Sequence, residues 1–188
     1  MTFRRVVLLV AALNLSYFGI EFAVAFAIRS VSLLADSIDF LEDTAVNLLI
    51  VAALGWTVAA RARVGMGLAI LLLIPGLAAL WMAWEKLVDR VPPEPVALSA
   101  TALGALAVNL CCAGLLVRHR HHAGSLSKAA WFSARNDALA NLAIIAAGAL
   151  TFWTVSIWPD LAVGLGIAAI NADAAREVWT TARGEQAD

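Results

Sequence analysis

Apolar residues fill this chain in six long runs, at about 6–27, 31–57, 64–84, 95–117, 129–153 and 158–175, and polar residues gather in the short breaks between them. A helix needs about 20 mostly apolar residues to cross the hydrocarbon core of a bilayer. Each run meets or approaches that length, so the pattern predicts an all-α fold: a bundle of six transmembrane helices, one domain over residues 1–188. The breaks are tight, with Arg61-Ala-Arg63 after the second run, Val91-Pro-Pro-Glu-Pro95 after the third, His119 to Ser127 after the fourth and Ser156 to Asp160 after the fifth. They leave no polar stretch long enough for a soluble domain. Arg4 and Arg5 followed by an apolar stretch have the look of a signal peptide, with Ala23-Val-Ala25 as a cleavage pattern. That run is too long for a signal sequence and contains Asn14 and Glu21, so it reads as a retained first span.

Basic residues orient the bundle. Arg4, Arg5, Arg61, Arg63, Arg118, Arg120, Lys128, Arg176 and Arg183 fall on one side, against Arg29, Lys86 and Arg90 on the other. The excess of Lys and Arg on cytoplasmic loops therefore predicts cytoplasmic N- and C-termini. Tryptophans support the same arrangement, with Trp56, Trp131 and Trp179 near inner ends and Trp81, Trp84, Trp153 and Trp158 near outer ends, as two interfacial belts.

Composition narrows the class further. Hydrophobic residues make up 62% of the chain and charged residues 14%, whereas soluble domains are about 45–50% apolar. The lipid bilayer is the expected surroundings, in the inner (cytoplasmic) membrane of a bacterium. A net charge of -1 offers no basic surface for nucleic acid, which is not expected as a partner. Cys111 and Cys112 are adjacent within an apolar run, so neither a disulfide framework nor a CxxC site is available.

Against this apolar background the second run carries Ser32-Leu-Leu-Ala-Asp-Ser-Ile-Asp-Phe-Leu-Glu-Asp43. Asp36, Asp39 and Asp43 are spaced i, i+3, i+7 and share one helix face. An ionised Asp near the centre of a spanning helix costs roughly 2.5–3.5 kcal/mol on insertion scales, so a stripe of them calls for a cationic partner. Glu42 points off that face, toward a possible pairing with Arg135. In the first run Asn14, Tyr17 and Glu21 form a second i, i+3, i+7 stripe, which serves either helix packing or a polar path.

The fifth run echoes the second. Asp43-Thr-Ala-Val-Asn47-Leu-Leu-Ile-Val-Ala-Ala53 and Asp137-Ala-Leu-Ala-Asn141-Leu-Ala-Ile-Ile-Ala-Ala147 both read D-x-x-x-N-L-x-I-x-A-A. The two helices run in opposite directions, as an inverted repeat of three helices plus three would require. Shared apolar composition explains the tail of the match equally well, but not the Asp and Asn. At a rise of about 1.5 Å per residue, Asp39 lies on the order of 12 Å deep from the outer side, and Asp137 at a similar depth from the inner side. If the two helices pack face to face, Asp39, Asp43 and Asp137 with Ser133 form an oxygen-lined cage. Carboxylates with a fourth neutral ligand suit a divalent cation. Protons compete for the same oxygens, which would couple metal release to protonation. The plainer reading is that these acids pair with Arg135 and Arg29, or bond to backbone, and hold the bundle together.

These residues resemble the cation diffusion facilitator family of metal transporters. Ser32 to Asp43 matches the family's second-helix signature, Asn136-Asp-Ala-Leu-Ala-Asn-Leu-Ala-Ile145 resembles its fifth-helix signature, and Trp158-Pro-Asp-Leu-Ala-Val-Gly-Leu-Gly-Ile167 resembles the start of its sixth helix. The resemblance implies a six-helix transporter, usually a homodimer, that exports zinc or a related divalent metal from the cytoplasm in exchange for protons. Cobalt, manganese, iron and cadmium are the related ions considered, with the metal as transported substrate and no enzymatic activity. Asp39, Asp43 and Asp137 fall on family ligands, and the fourth ligand, most often a His, falls on Ser133. Losing that imidazole weakens the preference for zinc, with Asn136 or Asn141 as possible stand-ins and Asn47, Asp36 and Glu21 as secondary candidates. Relatives commonly add a soluble cytoplasmic domain, whereas this sequence stops at Asp188; a dimer would then rest on the membrane helices. His119, His121 and His122 fall where relatives often have a His-rich loop, and read either as metal collectors or as a solvated basic loop. Two other readings stay open: a helix bundle that keeps the fold without transport, favoured by Ser133, and a metal-dependent intramembrane enzyme, disfavoured because its usual Asp-Gly pair is missing.

Overall fold

The computed structural model of the protein describes the backbone of residues 3–53, 76–117 and 125–184, and the side chains of 4–49, 51, 76–117, 136–173 and 176. Among the described residues six helices follow one another: α1 (Phe3–Ile28), α2 (Val31–Ala53), α3 (76–89), α4 (Pro95–Val117), α5 (Ser125–Thr154) and α6 (Trp158–Gly184). No strand occurs among the described residues.

The bundle is apolar on the outside and polar within. Leu15, Ile20, Phe26, Leu103, Leu110, Phe152 and Ile170 are exposed, while Asn14, Glu21, Asp36, Asn141 and Asp160 are fully buried. A soluble protein rarely shows such continuous apolar surface, which is natural against a bilayer; the buried acids are costly there and call for compensating positive charge. By length and composition α1 (from Arg4), α4 and the Asn136–Thr154 part of α5 can each cross a membrane. At 23 residues α2 is long enough as well, but Asp36, Asp39, Glu42 and Asp43 interrupt its apolar character.

Short turns fix the outer end. Arg29, Arg90 and Val155 close α1, α3 and α5 with φ of 55°, 54° and 48°. After α1 the Ser30 amide donates back to the Ala25 carbonyl at 2.9 Å, the six-to-one bond of a Schellman cap. Only Arg29 and Ser30 therefore separate α1 from α2, and the pair forms a tight hairpin. Trp81, Trp84, Trp153 and Trp158, all exposed, lie toward this end, in keeping with an interfacial belt. Trp56, Trp131 and Trp179 lie outside the described side chains.

Two boundaries differ from the hydropathy pattern. Helix α3 runs on to residue 89 and takes in Glu85, Lys86 and Asp89, which the pattern assigned to the break. Lys86 is buried at 4% exposure, so an interior partner, not solvent, holds this last turn. Helix α6 continues to Gly184, well past its apolar run. Hydropathy marks the thickness of the bilayer, and a helix is free to outrun it.

The packing of α2 also departs from a simple face-to-face pair with α5. Its long contacts are with α1 and α6, and it meets α5 over a shorter stretch. The tight turn ties it to α1. Gly164 permits the approach of α6, since a Cβ there would sit 2.7 Å from the Ser32 amide nitrogen and from the Val31 carbonyl carbon. Gly164→Val should therefore destabilise the protein by about 1–3 kcal/mol, the usual cost of overpacking. Gly166→Ala, with nothing within 4 Å of the added methyl, should change stability little. Unfolding in detergent followed by circular dichroism compares the two.

Candidate functional site

The acid stripe of α2 lies along the bundle interior, and each of its members has a different environment. Asp36 is fully buried. Asp39 is half-buried and lies within electrostatic range of Asp36, Asp43 and Glu42 on its own helix and of Asp137 on α5. Asp43 accepts a hydrogen bond from Asn14 Nδ2 at 3.3 Å. The Asp39 carboxylate on α2 and the Asp137 carboxylate on α5 thus lie within electrostatic range of each other.

The α2–α5 register is antiparallel. Asn141 lies against Asp36, and Asp137, one turn back along α5, faces Asp39. Continued by another turn, this register carries position 133 to the level of Asp43. The Ser133 side chain itself lies outside the described residues, as do Arg135, His119, His121 and His122. Among the described residues no three His, Cys, Asp or Glu side chains stand close enough to hold a metal ion. What is placed is a level of carboxylates drawn from two helices.

The neutral candidates separate clearly. Asn47 Nδ2 donates to the Asp43 carbonyl at 2.7 Å, and Asn141 Nδ2 donates to the Asp137 carbonyl at 2.9 Å. The repeated D-x-x-x-N element thus makes the same bond in both helices, which is what equivalent halves of an inverted repeat would do. Asn136 is exposed on the outside of α5, facing away from the carboxylates. On α1 the polar stripe faces inward: Asn14 reaches Asp43, the Tyr17 hydroxyl donates to the Thr101 carbonyl at 2.6 Å, and the Glu21 carboxyl meets Asp36. The stripe thus serves packing through Tyr17 and the polar interior through Asn14 and Glu21. Cys112 Sγ lies 3.5 Å from Asn14 Oδ1, while Cys111 is exposed.

Among the described residues no Arg or Lys satisfies Asp36. Arg29 instead pairs with Asp89 at 3.1 Å, where both side chains are about half exposed. That surface pair contributes little.

One cluster was not legible in the local pattern. Asp160, in the first turn of α6, is fully buried and gathers donors from two other elements. Ser30 Oγ and Ser32 Oγ each donate to Oδ1 at 2.6 Å, and the Ser32 amide does so at 3.2 Å. The Val31 amide donates to Oδ2 at 3.0 Å, and Lys86 Nζ from α3 completes the set. The carboxylate thereby satisfies amides at the start of α2 and meets the positive end of that helix dipole. Its sequence signal is an Asp following a Pro at the head of an apolar run, but the partners are remote.

Residues 7–183 match the Cation efflux transmembrane domain. The chain belongs to the cation efflux family. No curated protein matches it at a significant level. As a member of this family it is an integral membrane protein and a cation transporter of the cation diffusion facilitator kind, and the family is one of transporters, not enzymes. The match spans all six helices, so the carboxylate level and the Asp160 cluster both lie inside the family domain.

The Asp160 cluster makes a stability prediction. Removing one partner of a buried ion pair costs about 3–5 kcal/mol, because it leaves the other charge uncompensated. Asp160→Ala should lose at least that much in a detergent unfolding titration. The Lys86→Met/Asp160→Asn double variant, which removes both charges and leaves an amide oxygen for the serines, should recover a good part of it.

Proposed function

We propose that this protein exports a divalent transition-metal ion from the cytoplasm in exchange for protons, using Asp39, Asp43 and Asp137 as the transport ligands. The observation that carries the reading is the approach of Asp137 on α5 to Asp39 on α2, with Asp43 one turn inward. Asp43, Asp39 and Asp137 are all half-buried, so the site stays open to exchange while lying within the bundle.

The chemistry follows from charge. Carboxylates grouped at one level repel one another in a medium of low dielectric, and a divalent cation relieves that repulsion. Protons relieve it as well, so the two compete for the same oxygens. A metal arriving from one side displaces protons, and protons arriving from the other side displace the metal. Asn14 steadies Asp43, and the paired Asn47 and Asn141 bonds fix the neighbouring helix turns. An all-oxygen ligand set favours harder ions than one with an imidazole, so manganese, cobalt and iron stand beside zinc as substrates.

The homodimer implied by the family resemblance belongs to the same proposal. It would be held by the exposed apolar helix faces within the bilayer.

Proteoliposomes loaded with a metal-sensitive dye test this reading. An imposed proton gradient should drive metal uptake by the wild type, and Asp43→Ala and Asp137→Ala should each reduce it to the level of empty liposomes. Unchanged flux in both variants would contradict the assignment.

A further inference from the structure

Beyond the carboxylate level at Asp39, the interior holds a second group of oxygens with nothing to satisfy them. Glu21 on α1, Asp36 on α2 and Asn141 on α5 each have 0% exposure. Both carboxyl oxygens of Glu21, both of Asp36 and the Oδ1 of Asn141 lack a hydrogen-bond partner. The groups are mutually close: Glu21 and Asn141 both lie within hydrogen-bonding reach of the Asp36 carboxyl. Asn141 spends a donor on the Asp137 carbonyl, which leaves its carbonyl oxygen as the unmet group.

Buried polar atoms in folded proteins are paired in all but a few cases, and a cluster of unpaired ones commonly marks a bound ion or water. Here the unpaired atoms are all acceptors, and two of the three groups are acids. Water could donate to such a cluster but could not offset its charge. The deficit is therefore one of positive charge.

We propose that Glu21, Asp36 and Asn141 form a second binding site, for a hard divalent cation, set outward of the Asp39 level. Two carboxylates supply two negative charges, which match one divalent ion. Five oxygens from three helices approach the coordination number of six that oxygen-preferring ions such as manganese adopt. One proton shared between Glu21 and Asp36 would leave a net buried charge, and two protons, one on each acid, are the occupants that compete with the metal.

Asp36 precedes Asp39 by three residues, so the site lies about 5 Å nearer the outer end of α2. Next outward comes the Asp160 cluster around Ser30 and Ser32, which closes the bundle at that end. A metal leaving the Asp39 level toward the outside would meet Glu21 and Asp36 before that closure. The role as an outward station rests on the export reading; the binding itself does not.

Manganese(II) binding to the full chain in detergent, counted by electron paramagnetic resonance, separates the two sites. Wild type should bind two ions per chain, Asp43→Asn/Asp137→Asn one, Glu21→Gln/Asp36→Asn one, and the fourfold variant none. Each variant is first checked for a cooperative unfolding transition; where a double variant lacks one, single Glu21→Gln replaces Glu21→Gln/Asp36→Asn and single Asp43→Asn replaces Asp43→Asn/Asp137→Asn. If Asp43→Asn/Asp137→Asn binds no manganese, or if the Glu21 and Asp36 changes leave the wild-type count untouched, the second site is overturned and protons occupy it. If instead the Glu21 and Asp36 changes remove all manganese from the protein, the second site stands and the Asp39 level loses its assignment.

Discussion

A carboxylate shut away from water has to meet compensating positive charge, and this constraint shapes the whole bundle. The protein meets it in two different ways. Asp160 is fully buried and saturated, with Lys86, two hydroxyls and two backbone amides directed at its two oxygens. Glu21 and Asp36 are equally buried and face each other, and among the described residues no cation is directed at them. The first arrangement is complete without a ligand and fixes structure. The second is incomplete, and in a transporter an incomplete acid site is where the cargo or its counter-ion supplies the missing charge.

These elements fall in order along α2. Ser30 and Ser32 begin the helix inside the Asp160 cluster, which joins the outer ends of α2, α3 and α6. One turn inward Asp36 faces Glu21, the next turn brings Asp39 opposite Asp137, and the next brings Asp43 to Asn14. One helix thus carries the serines of the Asp160 cluster and the acids Asp36, Asp39 and Asp43 at intervals of about one turn each. Gly164 lets α6 press on the start of α2.

Much of this was legible in the sequence, for identifiable reasons. Hydropathy reports membrane thickness directly, so six helices were readable from six runs. The i, i+3, i+7 spacing placed Asp36, Asp39 and Asp43 on one face, and the shared Asp-x-x-x-Asn pointed to α5, where both Asn residues make the same backbone bond. The end of α3 was not readable, because Lys86 looks like an interfacial charge until Asp160, 74 residues away, is placed beside it. No local spacing encodes such a contact. The meeting of Glu21 with Asp36 did have a signal: they lie at similar distances on either side of the Arg29–Ser30 turn, and a hairpin that tight brings them level. The exposure of the Asn136 side chain was not readable either, because helix phase relative to neighbours follows from tertiary packing.

The central claim is that acids from α2 and α5 converge on one transported ion. An anomalous-difference map from crystals grown with manganese or zinc tests it most directly, since it locates the ion without reference to activity. The account predicts a peak between Asp39 and Asp137, within coordination distance of Asp43. Metal found only at the surface or at the His119 to His122 segment, with no density between α2 and α5, would contradict it.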